Sequence, residues 1–236
     1  MPVSSPRHDQ PRENAGARPR AVGRPRAFSD DELIHAALEL GPDDLSVSEV
    51  ARALGVPRST VYNRVATPEA LGALVLQAKI EEVLSSEWHL PGGAWPDALW
   101  ALVERFHQAW IAGGGWIRYY DVAIQVDEQS LRLTEDVMRR MVDQGLSLEE
   151  AGRAVQLVMA LVRDDAVLRA SVVFHGSIID NVRRVAEEAG LDLMLDSISR
   201  SEGRSDDTRF RDNIALVIDG IRLSHEARRT RRTGDG

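Results

Sequence analysis

Residues 46–65 read SVSEVARALGVPRSTVYNRV, and their spacing decides the fold. Ser46 supplies an N-cap hydroxyl and Glu49 stands three residues on, the pattern of a capping box. Val47, Val50, Ala51 and Leu54 recur at helical intervals and predict a short helix with one buried stripe. Gly55 ends it, because glycine enters the left-handed conformation of a tight turn without steric cost. A second short helix is expected from near Pro57 to about Arg64, burying Val61. Ala51, four residues before Gly55, is small where the two helices must cross closely. Helices joined in this way form a helix-turn-helix, a unit that lays its second helix in the major groove of duplex DNA.

The outward positions of that second helix are Arg58, Ser59, Thr60, Tyr62, Asn63 and Arg64. Arginine can bridge guanine and asparagine can bridge adenine, so these types suit base edges and phosphates. The hydroxyls of Ser46, Ser48 and Thr67, at neighbouring helix starts, join the candidate DNA-contact set.

Working outward, Ser29 is an N-cap followed by Asp30, Asp31 and Glu32, where the helix dipole favours anions. Leu33, Ile34, Ala37 and Leu38 form the apolar face of that helix, and Gly41-Pro42 closes it. Thr67-Pro68, a cap followed by proline at the first helical position, starts a long fourth helix running towards Trp88. His89 to Gly93 is a break. Further helices are expected at about 96–112, 116–126, 130–144, 147–162, 165–189 and 207–229, separated at Gly113 to Gly115, at Gly145 and over Ser199 to Asp207. No stretch alternates as a strand does, so the fold class is all-α.

The 236 residues are 43% hydrophobic, enough for a packed core, and contain no cysteine. Disulfides and thiolate metal sites are thereby excluded, and a reducing cytoplasm is the expected setting. No apolar run has the length of a membrane span, and the polar N-terminus lacks the apolar segment of a secretory signal. The net charge of −8 divides unevenly: residues 1–28 hold six arginines against Asp9 and Glu13, a local +4, which leaves −12 on the rest. Residues 1–28 read as a disordered basic arm, either one that meets phosphate or a solvated tail. The remaining divisions are 29–75 for the helix-turn-helix domain, 76–229 for a helical regulatory and dimerisation domain, and 230–236 for a second disordered tail.

LIHAALEL (33–40), LSVSEVARALGVPRSTVYNRV (45–65) and EALGALV (69–75) together resemble the N-terminal domain of the TetR (tetracycline repressor) family. QGLSLEEA (144–151) and FRDNIALVIDGI (210–221) resemble two helices of the regulatory domain in the tetracycline-repressor branch. The resemblance implies a homodimeric repressor with a three-helix DNA-binding domain, a connecting fourth helix and a regulatory bundle. It implies a dimer interface made by the helices at about 165–189 and 207–229, and a palindromic operator from which a small molecule releases the protein. Arg24 and Arg26, in the tetrapeptide Gly23-Arg24-Pro25-Arg26, resemble a minor-groove hook beside the first helix.

The chain also departs from the family. Its first helix is about a turn short, and Pro68 stands where a phosphate-holding lysine is usual. Residues 29–66 carry Arg52, Arg58 and Arg64 against seven acids, a local −4. This leaves a second reading open, a helical interaction protein that has lost specific DNA binding.

All five tryptophans fall within residues 88–116, with Phe106, Tyr119 and Tyr120 nearby. Such an aromatic zone reads as core or as the wall of an apolar effector pocket with a few polar groups. The pocket candidates are Trp100, Leu102, Phe106, His107, Trp110, Trp116, Tyr120 and Gln125, with Asp121 and His175 as further polar groups. A tetracycline–magnesium chelate is not implied, because no histidine lies within 113–126, and Leu102 stands where an amide meets the drug. No cofactor or metal is expected. No catalytic motif is present, and the adjacent acids Asp164-Asp165 and Asp206-Asp207 read as solvated helix ends.

Overall fold

The computed structural model describes residues 28–120, 128–170, 172–202 and 204–234. Among them every regular element is helical: α1 (Asp30–Leu40), α2 (Val47–Ala53), α3 (Arg58–Tyr62), α4 (Pro68–Ser85), α5 (Trp95–Gly113), a 3₁₀ turn (Gly114–Tyr119), α6 (Glu128–Asp143), α7 (Leu148–Ala170), α8 (Val172–Glu188), α9 (Asp192–Glu202) and α10 (Asp206–Gly234). No helix of the described residues is long and apolar enough to cross a membrane. The expected basic arm lies outside the described residues, save Phe28 at its end.

The helix starts follow from their caps. Ser29 and Glu32 form a reciprocal capping box on α1: the Glu32 N–H donates to Ser29 Oγ (3.1 Å), and the Ser29 N–H donates to Glu32 Oε2 (2.7 Å). Ser46 accepts from the Glu49 N–H at 3.2 Å, but the expected return bond is absent, because the Glu49 carboxylate pairs with Arg52 instead. Thr67 caps α4 by accepting from the Ala70 N–H at 3.1 Å.

Helices of seven and five residues are too short to persist alone. α2 and α3 exist because Val47, Val50, Ala51 and Val61 dock on Leu33, Ala37, Leu71 and Val75 in one core. Full burial of each valine or leucine stabilises by about 1.5–3 kcal/mol. A second core joins α5, α6, α7 and α10 through Leu99, Leu102, Val137, Met141, Val158 and Ile214. Phe106 and Trp110 on α5 pack against both.

Four boundaries differ from the sequence expectation. Of the segment read as a helix at 116–126, the part up to Tyr119 is a 3₁₀ turn, entered through three consecutive glycines that are poor helix formers, and residues 121–126 lie outside the described residues. The break expected between 162 and 165 does not occur: α7 runs on to Ala170, held by the Asp165–Arg169 pair one turn apart. α9 stands where the pattern predicts no helix; it buries no residue and leans on α8, with an Arg183–Glu202 ion pair between them. α10 continues to Gly234, beyond the expected end at 229.

The 3₁₀ turn packs into the first core, between α4 and α7. The Tyr119 ring fills the space a side chain at Gly72 of α4 would need, and its hydroxyl donates to the Pro42 carbonyl at 2.7 Å. Beside it Arg118 pairs with Asp43 at 2.6 Å. At the far end of α4, buried Arg105 of α5 takes up the free carbonyls: its Nη2 donates to Ser86 O (2.7 Å), Ser86 Oγ (2.8 Å) and Leu84 O (3.2 Å).

Gly72→Ala puts a methyl group into the Tyr119 ring. The expected outcome is a loss of about 1–3 kcal/mol in denaturant unfolding, as for other overpacked sites. Unchanged stability means that the wedge relaxes freely and carries no constraint.

Candidate nucleic-acid interface

The turn between α2 and α3 is a complete Schellman motif. Gly55 sits at φ +66°, the Val56 N–H donates to Ala51 O (3.0 Å), and the Gly55 N–H donates to Arg52 O (3.1 Å). No described side chain crowds Gly55, so glycine is required there by backbone conformation alone. Ala51 is buried, as the close crossing demands.

This turn presents α3 to solvent. Ser59 and Asn63 are exposed, Thr60 is half-buried, and Val61 is fully buried beneath them. Arg58 lies over the Tyr62 ring, 4.9 Å from its centroid, and donates to the Tyr62 hydroxyl at 2.6 Å. The pair holds a cation and an aromatic edge together on the outer face. Arg64 turns back to α1, where Nε donates to Asp30 Oδ1 at 2.8 Å and Nη2 reaches Asp30 Oδ2. This bidentate bond, with the Asp30 charge, raises the Arg64 pKa.

Ser48 is exposed, whereas the Ser46 and Thr67 hydroxyls are committed to helix caps. α3 and its flanks thus bring Ser48, Arg58, Ser59, Thr60, Tyr62, Asn63 and Arg64 to one end of the molecule. Arg24 and Arg26 lie outside the described residues. The feature that sequence reasoning missed is the Asp30–Arg64 pair, between residues 34 apart.

The pocket candidates disperse. Leu102 and Trp116 are core residues, and Phe106, Trp110 and Tyr120 are half-buried against the cores. Trp100 and His107 do line a cavity of about 530 Å³ between α5, the end of α7 and the start of α10, together with Ile111, Arg169, Phe210 and Arg211. Gln125 and Asp121 lie outside the described residues, as does the His175 side chain. His107 stacks flat on Phe210 (centroids 3.7 Å apart, planes 7° apart), and its Nε2 donates to Asp165 Oδ2 at 2.7 Å.

Asp165 also accepts from Arg169 Nε at 2.6 Å, and Asp207 accepts from Arg169 Nη1 at 2.6 Å. Asp165 and Asp207, read from sequence as solvated helix ends, are therefore members of one charged network joining three helices. Only the i, i+4 spacing of Asp165 and Arg169 gave a sequence signal for it. Burial pulls the Arg169 pKa down, but its bonds to Asp207 and Asp165 outweigh this and leave it raised. The bond to Arg169 lowers the Asp207 pKa.

A family model described as the IclR helix-turn-helix domain matches residues 36–77, which span α2, α3 and parts of α1 and α4. No curated protein matches the chain by sequence. Solved structures match nearly its whole body. A possible TetR family transcriptional regulator from Streptomyces coelicolor A3(2) is 17% identical, with a TM-score of 0.66 over 83% of this chain and 100% of that one. ActR from Streptomyces coelicolor in complex with actinorhodin is 18% identical, with a TM-score of 0.64 over 84% and 97%. A single-residue variant of TetR from Acinetobacter baumannii AYE, in complex with minocycline, is 19% identical, with a TM-score of 0.59 over 84% and 98%. The chain has the fold of the TetR family regulators.

Asp30→Asn releases the Arg64 fork from α1. The expected result is binding to duplex DNA several-fold tighter at low salt, read by fluorescence anisotropy, while Arg64→Ala weakens binding by about tenfold. Equal affinity for wild type and both variants removes Arg64 from the interface.

Proposed function

We propose that this chain, built on the TetR fold, is a TetR family transcriptional regulator: a homodimeric repressor that a small molecule releases from a palindromic operator. The observation that carries the reading is the α3 face, with Arg58–Tyr62, Ser59, Asn63 and Arg64 on a helix held out from the body by the Gly55 turn. These are the groups that meet base edges and phosphates in a major groove.

Dimerisation through α8 and α10 is supported by the apolar side chains both leave in solvent. Ile178, Val182 and Val185 recur along α8, and Leu216 and Leu223 along α10. α8 packs chiefly on α9 and the end of α7. A second copy related by a two-fold axis covers such faces and pairs two α3 helices, whose half-sites then lie about 34 Å apart.

The route from effector to operator follows residues already placed. Ile111 lines the cavity and lies on α5, which leads directly into the 3₁₀ turn. The turn touches α4 at Gly72 and the α1–α2 loop at Pro42 and Asp43. A ligand that displaces α5 moves the wedge and alters the separation of the two α3 helices. It shifts the balance only as far as its affinity differs between the two arrangements. ActR and the minocycline-bound TetR variant, which share the fold, were solved with small molecules, and this favours an effector here. The reading needs no cofactor and no catalysis, and its place of action is the cytoplasm, with the chromosome.

The second reading, an interaction protein without specific DNA binding, draws on the acids of residues 29–66 and on Pro68 at the start of α4. Salt separates the two. In a mobility-shift assay with the DNA upstream of its own gene, the regulator is expected to bind saturably, with affinity falling steeply between about 50 and 200 mM salt. Affinity for DNA that is absent at both salts favours the interaction protein.

A further inference from the structure

α8 and α9 form a hairpin with almost no core of its own. Within residues 178–202 the one buried side chain is Ala186. An 11-residue helix that buries nothing is marginal in water. The hairpin is nonetheless not polar all round. Ile178, Val182 and Val185 recur at helical spacing on the exposed side of α8. Leu191, Leu193 and Met194 are exposed where α9 begins. A contiguous apolar face of this kind marks a surface that another molecule covers.

The body of the chain offers a matching surface. A groove of about 450 Å³ runs between the first half of α7 and the second half of α10. Leu146, Ala154, Val217 and Ile221 line it, and Leu157 and Leu216 stand beside them, 55% and 75% exposed. Gly220 lines it too, in mid-helix, where glycine costs about 1 kcal/mol relative to alanine. Nothing in its own fold requires that glycine. Its φ is not positive, and a methyl group there meets no described atom within 4 Å. A bare backbone at such a point admits close approach from outside.

Charge points the same way. Residues 178–202 carry six acids against three arginines, whereas residues 216–231 carry four arginines against two acids. Arg153, His225 and Arg228 stand along the groove. Hairpin and groove are thus opposite in sign and alike in being apolar at the centre. Both belong to one chain, so a two-fold axis joins two such pairs at once.

We propose that the α8–α9 hairpin of a second copy of this chain lies across the α7–α10 groove, apolar face down, and comes closest at Gly220. The proposal rests on the homodimer reading. It goes beyond that reading by adding α7 and α9 to the interface and by pairing hairpin with groove.

The chain has no cysteine, so introduced thiols cross-link only where they are placed. Val185→Cys and Met194→Cys mark the hairpin, and Leu157→Cys and Leu216→Cys mark the groove; all four side chains are exposed. One hairpin variant and one groove variant, differing in tag length, are co-expressed, treated with a short bismaleimide and resolved by mass. The expected product is a mixed dimer that joins hairpin to groove. Hairpin thiols that join only each other, groove thiols that join only each other, or no cross-linked product overturns the proposal.

Gly220→Leu gives an independent readout. Leucine favours the helix, so helicity by circular dichroism is expected to be kept. The dimer is expected to dissociate at least about tenfold more readily in sedimentation equilibrium, as for an overpacked contact. A dimer of unchanged affinity overturns the proposal. A wild-type dimer whose cross-links avoid the groove sinks this placement alone, whereas a wild-type monomer sinks the homodimer reading with it.

Discussion

Everything at the α3 end of this molecule hangs on the approach of the Tyr119 ring to the bare backbone of Gly72. α2 and α3 cannot stand alone at seven and five residues, so their position is that of the core they share with α1 and α4. α4 in turn is held at one end by Tyr119 and at the other by Arg105, which occupies the carbonyls of its last turn. Both clamps come from α5 and the turn that follows it. A packed interior transmits displacement because it cannot compress, so movement of α5 reaches α3 through a short series of side-chain contacts.

Electrostatics shapes the same end without holding it together. The ion pairs there, Arg64–Asp30, Arg52–Glu49 and Arg118–Asp43, are largely exposed, and such pairs contribute about 0–1 kcal/mol each. Their weight lies in selectivity. Asp30 occupies the fork of Arg64, and the local −4 of residues 29–66 opposes indiscriminate attraction to phosphate. In the proposed complex with DNA, a face arranged in this way gains little from charge alone and depends on matched contacts to bases.

What the sequence made legible was local. Ser29, Ser46 and Thr67 announced their helices through hydroxyls that do cap them, and Gly55 announced its turn through a conformation it does adopt. Helical periodicity carried most of the remaining elements. Several of the misreadings come from tertiary partners that no window of sequence contains. Asp164 and Asp165 looked like a helix end until Asp165 met His107, 58 residues away, and Arg169. α9 buries nothing, so it has no apolar stripe facing a core to reveal it. The aromatic cluster pointed to the right region, yet Leu102 and Trp116 went to core, while Arg169, unmarked by any motif, and Phe210, the first residue of the 210–221 stretch, line the cavity.

The central claim is that two α3 helices read DNA as a symmetric pair. The most direct measurement is selection of bound duplexes from a randomised pool by the full chain, followed by sequencing. The account predicts enrichment of an inverted repeat with half-site centres about one helical turn, or roughly 10 base pairs, apart. A pool that stays random through successive rounds, or that yields a single asymmetric site, contradicts it.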